Sequence, residues 1–325
     1  MNVKEGHYNW KIAGHKKVLS EIEEDLKTGN LPNAYLFAGP PHVGKFTLGR
    51  RLAQILQCEH ESDGAQTRAG EKCQVCLNIE KGVHPDTIEL QDDGESLKIE
   101  PMRDILARLA TTANGKYKIF LVKNIERMTL ETANVLLKTL EEPPSKVIFI
   151  FTTSRLEDVL ETVLSRVRVL KFRGLAPEEI IDFLNARQIE NADPAKIQKA
   201  VDLSFGLPGR AVKFLEDEDY FEQIQAMFEK VRTVLKSGDV VDKFALVNEA
   251  TQAPKTTADE KMTGEFFDIF LLALRYTMLQ EAEEGKSPEK LQRTVDALLR
   301  AQDAVRLQKR NVNARLLFEN IILNT

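Results

Sequence analysis

The sequence predicts a doubly wound α/β domain built on a parallel sheet and followed by an all-helical remainder. Three observations predict it. Short β-rich runs alternate with helical patterns through the first half, as in a parallel sheet wrapped by helices. A glycine-containing loop joins the first of these runs to a helical pattern. After about Gly174 the β signal stops and helix follows helix.

Five runs are short, apolar and rich in β-branched or aromatic residues, as strands buried on both faces should be. They are Ala34–Gly39, Thr87–Leu90, Lys118–Val122, Val147–Thr152 and Val167–Phe172. Between them, Thr47–Cys58, Glu100–Ala110 and Leu130–Leu140 carry Leu, Ile and Ala at three- and four-residue spacings, so each can lay one face on the sheet. Glu59–Lys72 and Gln91–Ser96 are polar insertions that read as surface loops. Pro177 stands at a first helical position and opens the helical part. The expected domains are residues 1–173, a small helical unit 174–216, and a larger helical domain 217–325 with breaks near Gly238, Pro254 and Gly285.

The bulk composition agrees with this division. A chain of 325 residues is long enough for two or three domains with their own cores. Hydrophobic residues make up 42% and charged residues 29%, and the net charge of −5 excludes a chain basic throughout. Any nucleic-acid contact must therefore be local. No stretch approaches the roughly 20 apolar residues that span a bilayer, and Met1 to Trp10 lacks the apolar run of a secretion signal, so the cytoplasm is the expected location and no membrane partner is expected. Three cysteines, an odd number, suit a metal site or reduced thiols better than a disulfide framework.

Gly39, Pro40, Pro41, His42, Val43, Gly44, Lys45, Phe46 and Thr47 form a G-x-x-x-x-G-K segment between a strand and a helix. In that setting the backbone N–H groups and the positive end of the helix cradle phosphates, and the lysine reaches the outer ones. ATP or ADP is the expected ligand. The residue after the lysine should be Ser or Thr to hold magnesium, yet Phe46 stands there and Thr47 comes one place late. The acidic pair expected after the strand Lys118–Val122 is replaced by Lys123 and Asn124, while Glu126 lies two residues deeper into the turn. Without those carboxylates nothing holds the metal or orients the attacking water, so bound nucleotide is not expected to be hydrolysed.

Beyond these features, several segments resemble the AAA+ clamp-loader subunits of bacterial DNA polymerase III, most closely the delta-prime class. They are Gly14 with His15, Leu31 to Pro40, Gly44 and Lys45 with Thr47 and Leu48, His84 to Asp86, and Ala133 to Pro144, ending in Leu-Leu-Lys-Thr-Leu-Glu-Glu-Pro-Pro. The resemblance implies an AAA+ nucleotide-binding-like domain, a helical lid and a helical collar. It implies membership of a heteropentameric ring with gamma/tau-like and delta-like subunits that loads a sliding clamp on primed DNA. Ser165, Arg166 and Val167 resemble the motif that projects an arginine into a neighbour's ATP site, a role suited to a permanent planar cation. Thr152 and Thr153 resemble the polar sensor of the terminal phosphate, and they are equally ordinary strand-end residues. Gly206 to Ala211 resembles the lid motif, with Arg210 as the second arginine sensor. Asn311 to Leu316 with Glu319 resembles the last collar helix.

Cys73 and Cys76 have metal-ligand spacing and Cys58 lies upstream, so the three could hold structural zinc. The resemblance implies a fourth cysteine where Gly70 stands, and His60 or a water is the substitute. The alternative is three buried thiols. As a whole the chain is expected to be a non-hydrolysing ring member that donates Arg166, with an active gamma/tau-like motor ATPase as the alternative. An independent zinc-dependent nucleic-acid binder fits the acidic balance and incomplete ligand set poorly.

Overall fold

The computed structural model describes residues 8–58, 73–90, 99–109, 115–187, 193–237, 239–250, 257–308 and 319. The two expected surface loops, His60, Gly70, Gly238, Pro254 and the segment Asn311 to Leu316 lie outside these residues. The chain divides into two compact units, Met1–Val212 and Lys213–Thr325.

The first unit holds a five-stranded parallel sheet. Its strands are β1 (Ala34–Ala38), β2 (Thr87–Leu90), β3 (Lys118–Val122), β4 (Val147–Thr153) and β5 (Arg168–Lys171), in the order β2-β3-β4-β1-β5. All five sit where the apolar runs predict. Because side chains alternate along a strand, the central strands β1, β3 and β4 feed two cores. Tyr35, Phe37, Ile119, Leu121, Ile148 and Ile150 point to one side, where helices α1 (Lys16–Thr28) and α2 (Lys45–Gln57) supply Val18, Ile22, Leu48 and Leu52. Leu36, Phe120, Phe149 and Phe151 point to the other, where α4 (Ile99–Leu109) and α5 (Leu130–Glu141) supply Met102, Ile105, Leu136 and Leu140. On that side the Phe149 ring stacks on Phe120 and Phe151, with centroids 5.4 and 5.7 Å away.

Two helices longer than a single turn stand outside the sequence expectation. One is α1, and the other is α3 (Gln74–Glu80), which carries Cys76. The Asp25 carboxylate of α1 is buried, accepts a hydrogen bond from the Tyr35 hydroxyl at 2.8 Å, and pairs with Arg168 of β5. This couples α1 to two strands from inside. Asp25→Ala is expected to destabilise the first unit by about 2–3 kcal/mol, because the fully buried Tyr35 hydroxyl loses its acceptor and Arg168 the closer of its two acidic partners, Asp25 and Glu21. Urea unfolding followed by fluorescence of Trp10, the chain's one tryptophan and a member of this core, would measure the change. An unchanged midpoint would refute that role.

Beyond β5 the first unit continues through α7 (Pro177–Ala186) and α8 (Pro194–Ser204), after the single turn α6 (Glu161–Leu164) that precedes the strand. The helix α9 (Pro208–Glu216) spans the division between the units. The second unit is helical among its described residues: α10 (Glu218–Ser237), α11 (Val240–Ala250), α12 (Thr257–Glu283) and α13 (Pro288–Gln308). Phe266, Phe267, Phe270 and Leu274 of α12 are buried there. Gly285, with φ 64°, ends the α12 run at the expected break. None of the described helices is long and apolar enough to cross a membrane.

Candidate functional site

Parallel strands place all their carboxyl ends along one edge, and in open α/β sheets that edge is where ligands bind. The register aligns Ala38 of β1 with Thr153 of β4 and Lys171 of β5, and Val122 of β3 with Phe151 of β4. The glycine loop after β1, the Lys123–Asn124 position after β3 and the two threonines of β4 therefore share this edge.

The loop itself is tightly determined. The Gly39 N–H donates to the Thr153 carbonyl at 3.1 Å, and a β-carbon at Gly39 would stand 2.6 Å from the Phe172 carbonyl oxygen, so only glycine fits. His42 and Gly44 take positive φ values of 60° and 100°, and α2 begins at Lys45. Two further contacts hold the loop from outside. His15 donates from Nε2 to the Val43 carbonyl at 3.1 Å and packs on the Phe172 ring, with centroids 4.7 Å apart. Burial lowers the His15 pKa, so the neutral ring that makes this contact is favoured. The Gly209 N–H donates to the His42 carbonyl at 2.8 Å, and a side chain at Gly209 would collide with that same oxygen.

Lys45 is buried, and its Nζ donates to the Gly39 and Pro40 carbonyls, both at 2.6 Å. Its pKa is lowered to about 8, first by burial and then by the charge of Lys123, against an opposing effect of Glu126. Glu126 is the acid that the linear sequence places too deep in the turn. Its Oε1 accepts the Ser154 N–H at 3.0 Å, while Oε2 is buried without a hydrogen-bond partner. Its field reaches Lys45 because the turn after β3 folds back against the end of β4. Nothing in strand periodicity announces that return.

The residues do not fit a magnesium ion held in the usual way. Phe46 offers no oxygen and its ring lies against Arg50, whose guanidinium carbon is 5.0 Å from the centroid. Arg50 itself makes a two-pronged pair with Glu89, at 2.6 Å for each bond. The Asn124 N–H donates to the Thr152 hydroxyl at 3.2 Å, and Thr153 bonds the backbone of Arg155, so both threonine hydroxyls are engaged within the strand ends. Arg210 is buried in α9, adjacent to the Gly209 contact with the loop.

Arg166 lies elsewhere. β5 runs parallel to β1 with Arg168 opposite Tyr35, so Arg166 stands at the amino edge of the sheet. The loop at Gly39 lies four strand residues beyond the level of Tyr35 and Arg168, roughly 13 Å at about 3.3 Å per residue, and Arg166 precedes that level by two further residues. Arg166 is partly exposed. Nη1 donates to the Thr162 carbonyl and the Ser165 hydroxyl, both at 2.9 Å, and Nη2 to Glu141 at 2.7 Å.

The cysteines converge away from both positions. Cys58, Cys73 and Cys76 are buried with their sulfurs all within 4.8 Å of one another, the first two 4.0 Å apart. Four sulfurs around zinc at about 2.3 Å lie about 3.8 Å apart, so the three thiols nearly match such a site. Burial, followed by the neighbouring thiols, pushes the Cys76 thiol up to about 12. Among the described residues no fourth acidic, histidine or cysteine ligand joins them.

Sheet order and the glycine loop define a parallel-sheet α/β protein of the phosphate-loop class. The family described as DNA polymerase III, delta subunit, matches residues 14–176, half of the chain, and the chain belongs to that family. It is 35% identical over 175 residues to the DNA polymerase III subunit gamma of Buchnera aphidicola subsp. Schizaphis graminum, covering 54% of this chain and 47% of that one. It is 34% identical over 170 residues to the subunit tau of Escherichia coli, covering 52% and 26%. Subunit delta' of Bacillus subtilis is 31% identical over 169 residues, covering 52% and 50%. The chain thus spans half or less of the length of these curated relatives. Among solved structures, a DNA polymerase III gamma subunit-related protein from Thermotoga maritima is 19% identical, with 93% and 96% covered and a TM-score of 0.44. The RuvB Holliday junction branch migration motor of Thermotoga maritima is 16% identical, with 83% and 76% covered and a TM-score of 0.44.

Proposed function

We propose that this chain is a clamp-loader subunit of the delta-prime kind, a ring member that hydrolyses no ATP itself and donates Arg166 to the ATP of an adjacent subunit. In this reading it assembles with gamma/tau-like and delta-like subunits into a heteropentamer that opens a sliding clamp onto primed DNA. The observation that carries it is the separation of Arg166 from the chain's own phosphate loop. A cation at the amino edge of the sheet cannot serve a nucleotide at the carboxyl edge of the same sheet, which supports a role for Arg166 toward another chain's phosphate. Exposed Val240, Val241 and Phe244 on α11 provide an apolar patch of the kind partners cover.

The loop residues Gly39, Pro40, His42, Val43, Gly44, Lys45, Phe46 and Thr47 retain the means to bind the phosphates of ATP or ADP. Lys45 must first release the two carbonyls it now bonds. With Phe46, Lys123 and Asn124 in place of the metal-holding groups, a bound nucleotide would persist unhydrolysed. Helices α7 and α8 with the start of α9 act as the lid that presents Arg210, and residues 217–325 act as the collar. Cys58, Cys73 and Cys76 hold a structural zinc.

A gamma/tau-like motor is the second reading, favoured by the gamma and tau subunits among the relatives and by the intact Lys45. Turnover by the purified chain decides between the two. With saturating ATP and magnesium, hydrolysis is expected to stay at the background of a Lys45→Ala control. Robust magnesium-dependent turnover, abolished in that control, would establish the motor instead.

A further inference from the structure

Among the described residues Arg51 is a permanent cation buried without an anionic hydrogen-bond partner, and it lies within electrostatic reach of Cys58 and Cys76. Only 4% of its surface is exposed. Its Nε donates to the Asn9 carbonyl at 2.6 Å and its Nη1 to the Gln54 side-chain oxygen at 3.0 Å, both neutral acceptors. Nη2 is buried with no partner. Gln54 then passes the connection on, donating from Nε2 to the Cys76 carbonyl at 3.0 Å. Burial disfavours the Arg51 charge, and thiolates at Cys76 and Cys58, with the exposed Glu80, favour it.

A buried guanidinium surrounded by neutral groups is costly unless a negative charge accompanies it. While the thiols are protonated, the hydrogen-bond partners of Arg51 among the described residues supply none. Three thiolates on a divalent soft cation carry one net negative charge, which cancels that of Arg51. We propose that Arg51 is the charge-compensating positioning residue of a zinc–trithiolate centre formed by Cys58, Cys73 and Cys76, with Gln54 tying the guanidinium to the helix that bears Cys76. This rests on the zinc reading given above. It goes further in naming the charge state of the occupied centre and the residue that sets its affinity. The arrangement has a signed consequence: Arg51 destabilises the empty protein and stabilises the loaded one. A residue that merely fills space would affect both forms alike.

The test uses the whole 325-residue chain, with zinc affinity measured by chelator competition and cobalt(II) as spectroscopic probe, for the parent, Arg51→Met, Arg51→Gln and Arg51→Lys. The parent is expected to bind one zinc, and its cobalt form to show sulfur-to-metal charge-transfer absorption. Arg51→Met is expected to bind zinc about 10- to 100-fold more weakly, the range typical of groups supporting a metal's ligands. Its metal-free form should melt no lower than the parent's, and Arg51→Lys should recover most of the affinity. Equal zinc affinity in the parent and Arg51→Met would overturn the inference, as would equal losses of melting temperature with and without zinc. If Arg51→Met does not fold, Arg51→Lys decides: a charge-retaining variant that binds zinc as weakly as Arg51→Gln would also overturn it. Failure of the parent to bind zinc or cobalt would instead remove the zinc reading, a separately recognisable result.

Discussion

Replacing Arg166 by Ala is expected to leave ring assembly intact while lowering the DNA-stimulated ATP hydrolysis of the assembled complex by about 10³–10⁵-fold, the usual contribution of an arginine supplied in trans. The size follows from the chemistry. Charge spreads over the transferring phosphoryl group only in the transition state, and a planar cation at that point stabilises it more than the ground state. In the isolated chain Arg166 is held by Glu141, Ser165 and the Thr162 carbonyl. The ion pair with Glu141 is partly exposed, and such pairs are worth about 1 kcal/mol or less, so a neighbour's phosphate can displace it. Arg166→Lys is expected to recover little, because a point charge cannot reproduce the two-pronged contact. Unchanged hydrolysis by an assembled complex carrying Arg166→Ala would refute the donated-arginine role.

The second large effect concerns stability and has the opposite sign to most substitutions at a ligand site. Lys45→Met is expected to stabilise the first unit by about 2–3 kcal/mol near neutral pH. The folded-state pKa of Lys45 is about 8, below the usual lysine value of 10.5. A lowering of that size corresponds to roughly 3 kcal/mol, less what the two carbonyl hydrogen bonds return. Between pH 8 and 10.5 the unfolded chain binds the proton more tightly than the folded one, so stability of the parent should rise with pH through that window. Below pH 8 the full penalty is present. Lys45→Met should abolish the rise, and saturating ATP should reduce it in the parent by adding a second anion to the field of Glu126. Urea unfolding monitored through Trp10 between pH 7 and 10.5 checks this. Identical pH slopes in the parent and Lys45→Met would refute the assignment.

Much of this architecture is legible along the chain. The five strands are legible because a strand buried on both faces needs an uninterrupted apolar, β-branched run, and few other elements of four to seven residues produce one. The loop is legible because its glycines are demanded locally, most clearly at Gly39 against the Phe172 carbonyl. Helix α1 is less so: its buried acid Asp25 makes sense only once Tyr35 and Arg168 are beside it. His15, Gly209 and Arg51 fall outside the linear reading as site residues for the same reason. The partners of His15, Val43 and Phe172, are 28 and 157 positions away, and Gly209 meets the loop at His42.

What the sequence by itself determined is the identity of the reacting groups: a lysine and glycines that can take phosphate, a phenylalanine where a magnesium ligand belongs, and Lys123 and Asn124 where the acids belong. Those conclusions depend only on which functional groups exist at positions close together in the chain. The tertiary structure decided which groups share a space. Parallel pairing sends Arg166 to the edge opposite the loop, the return of the turn after β3 brings Glu126 into the field of Lys45, and the packing of α2 with α3 closes Arg51 in beside the cysteines. Each depends on register and burial between residues far apart in sequence, where direction and solvent exclusion, not residue type, settle the chemistry.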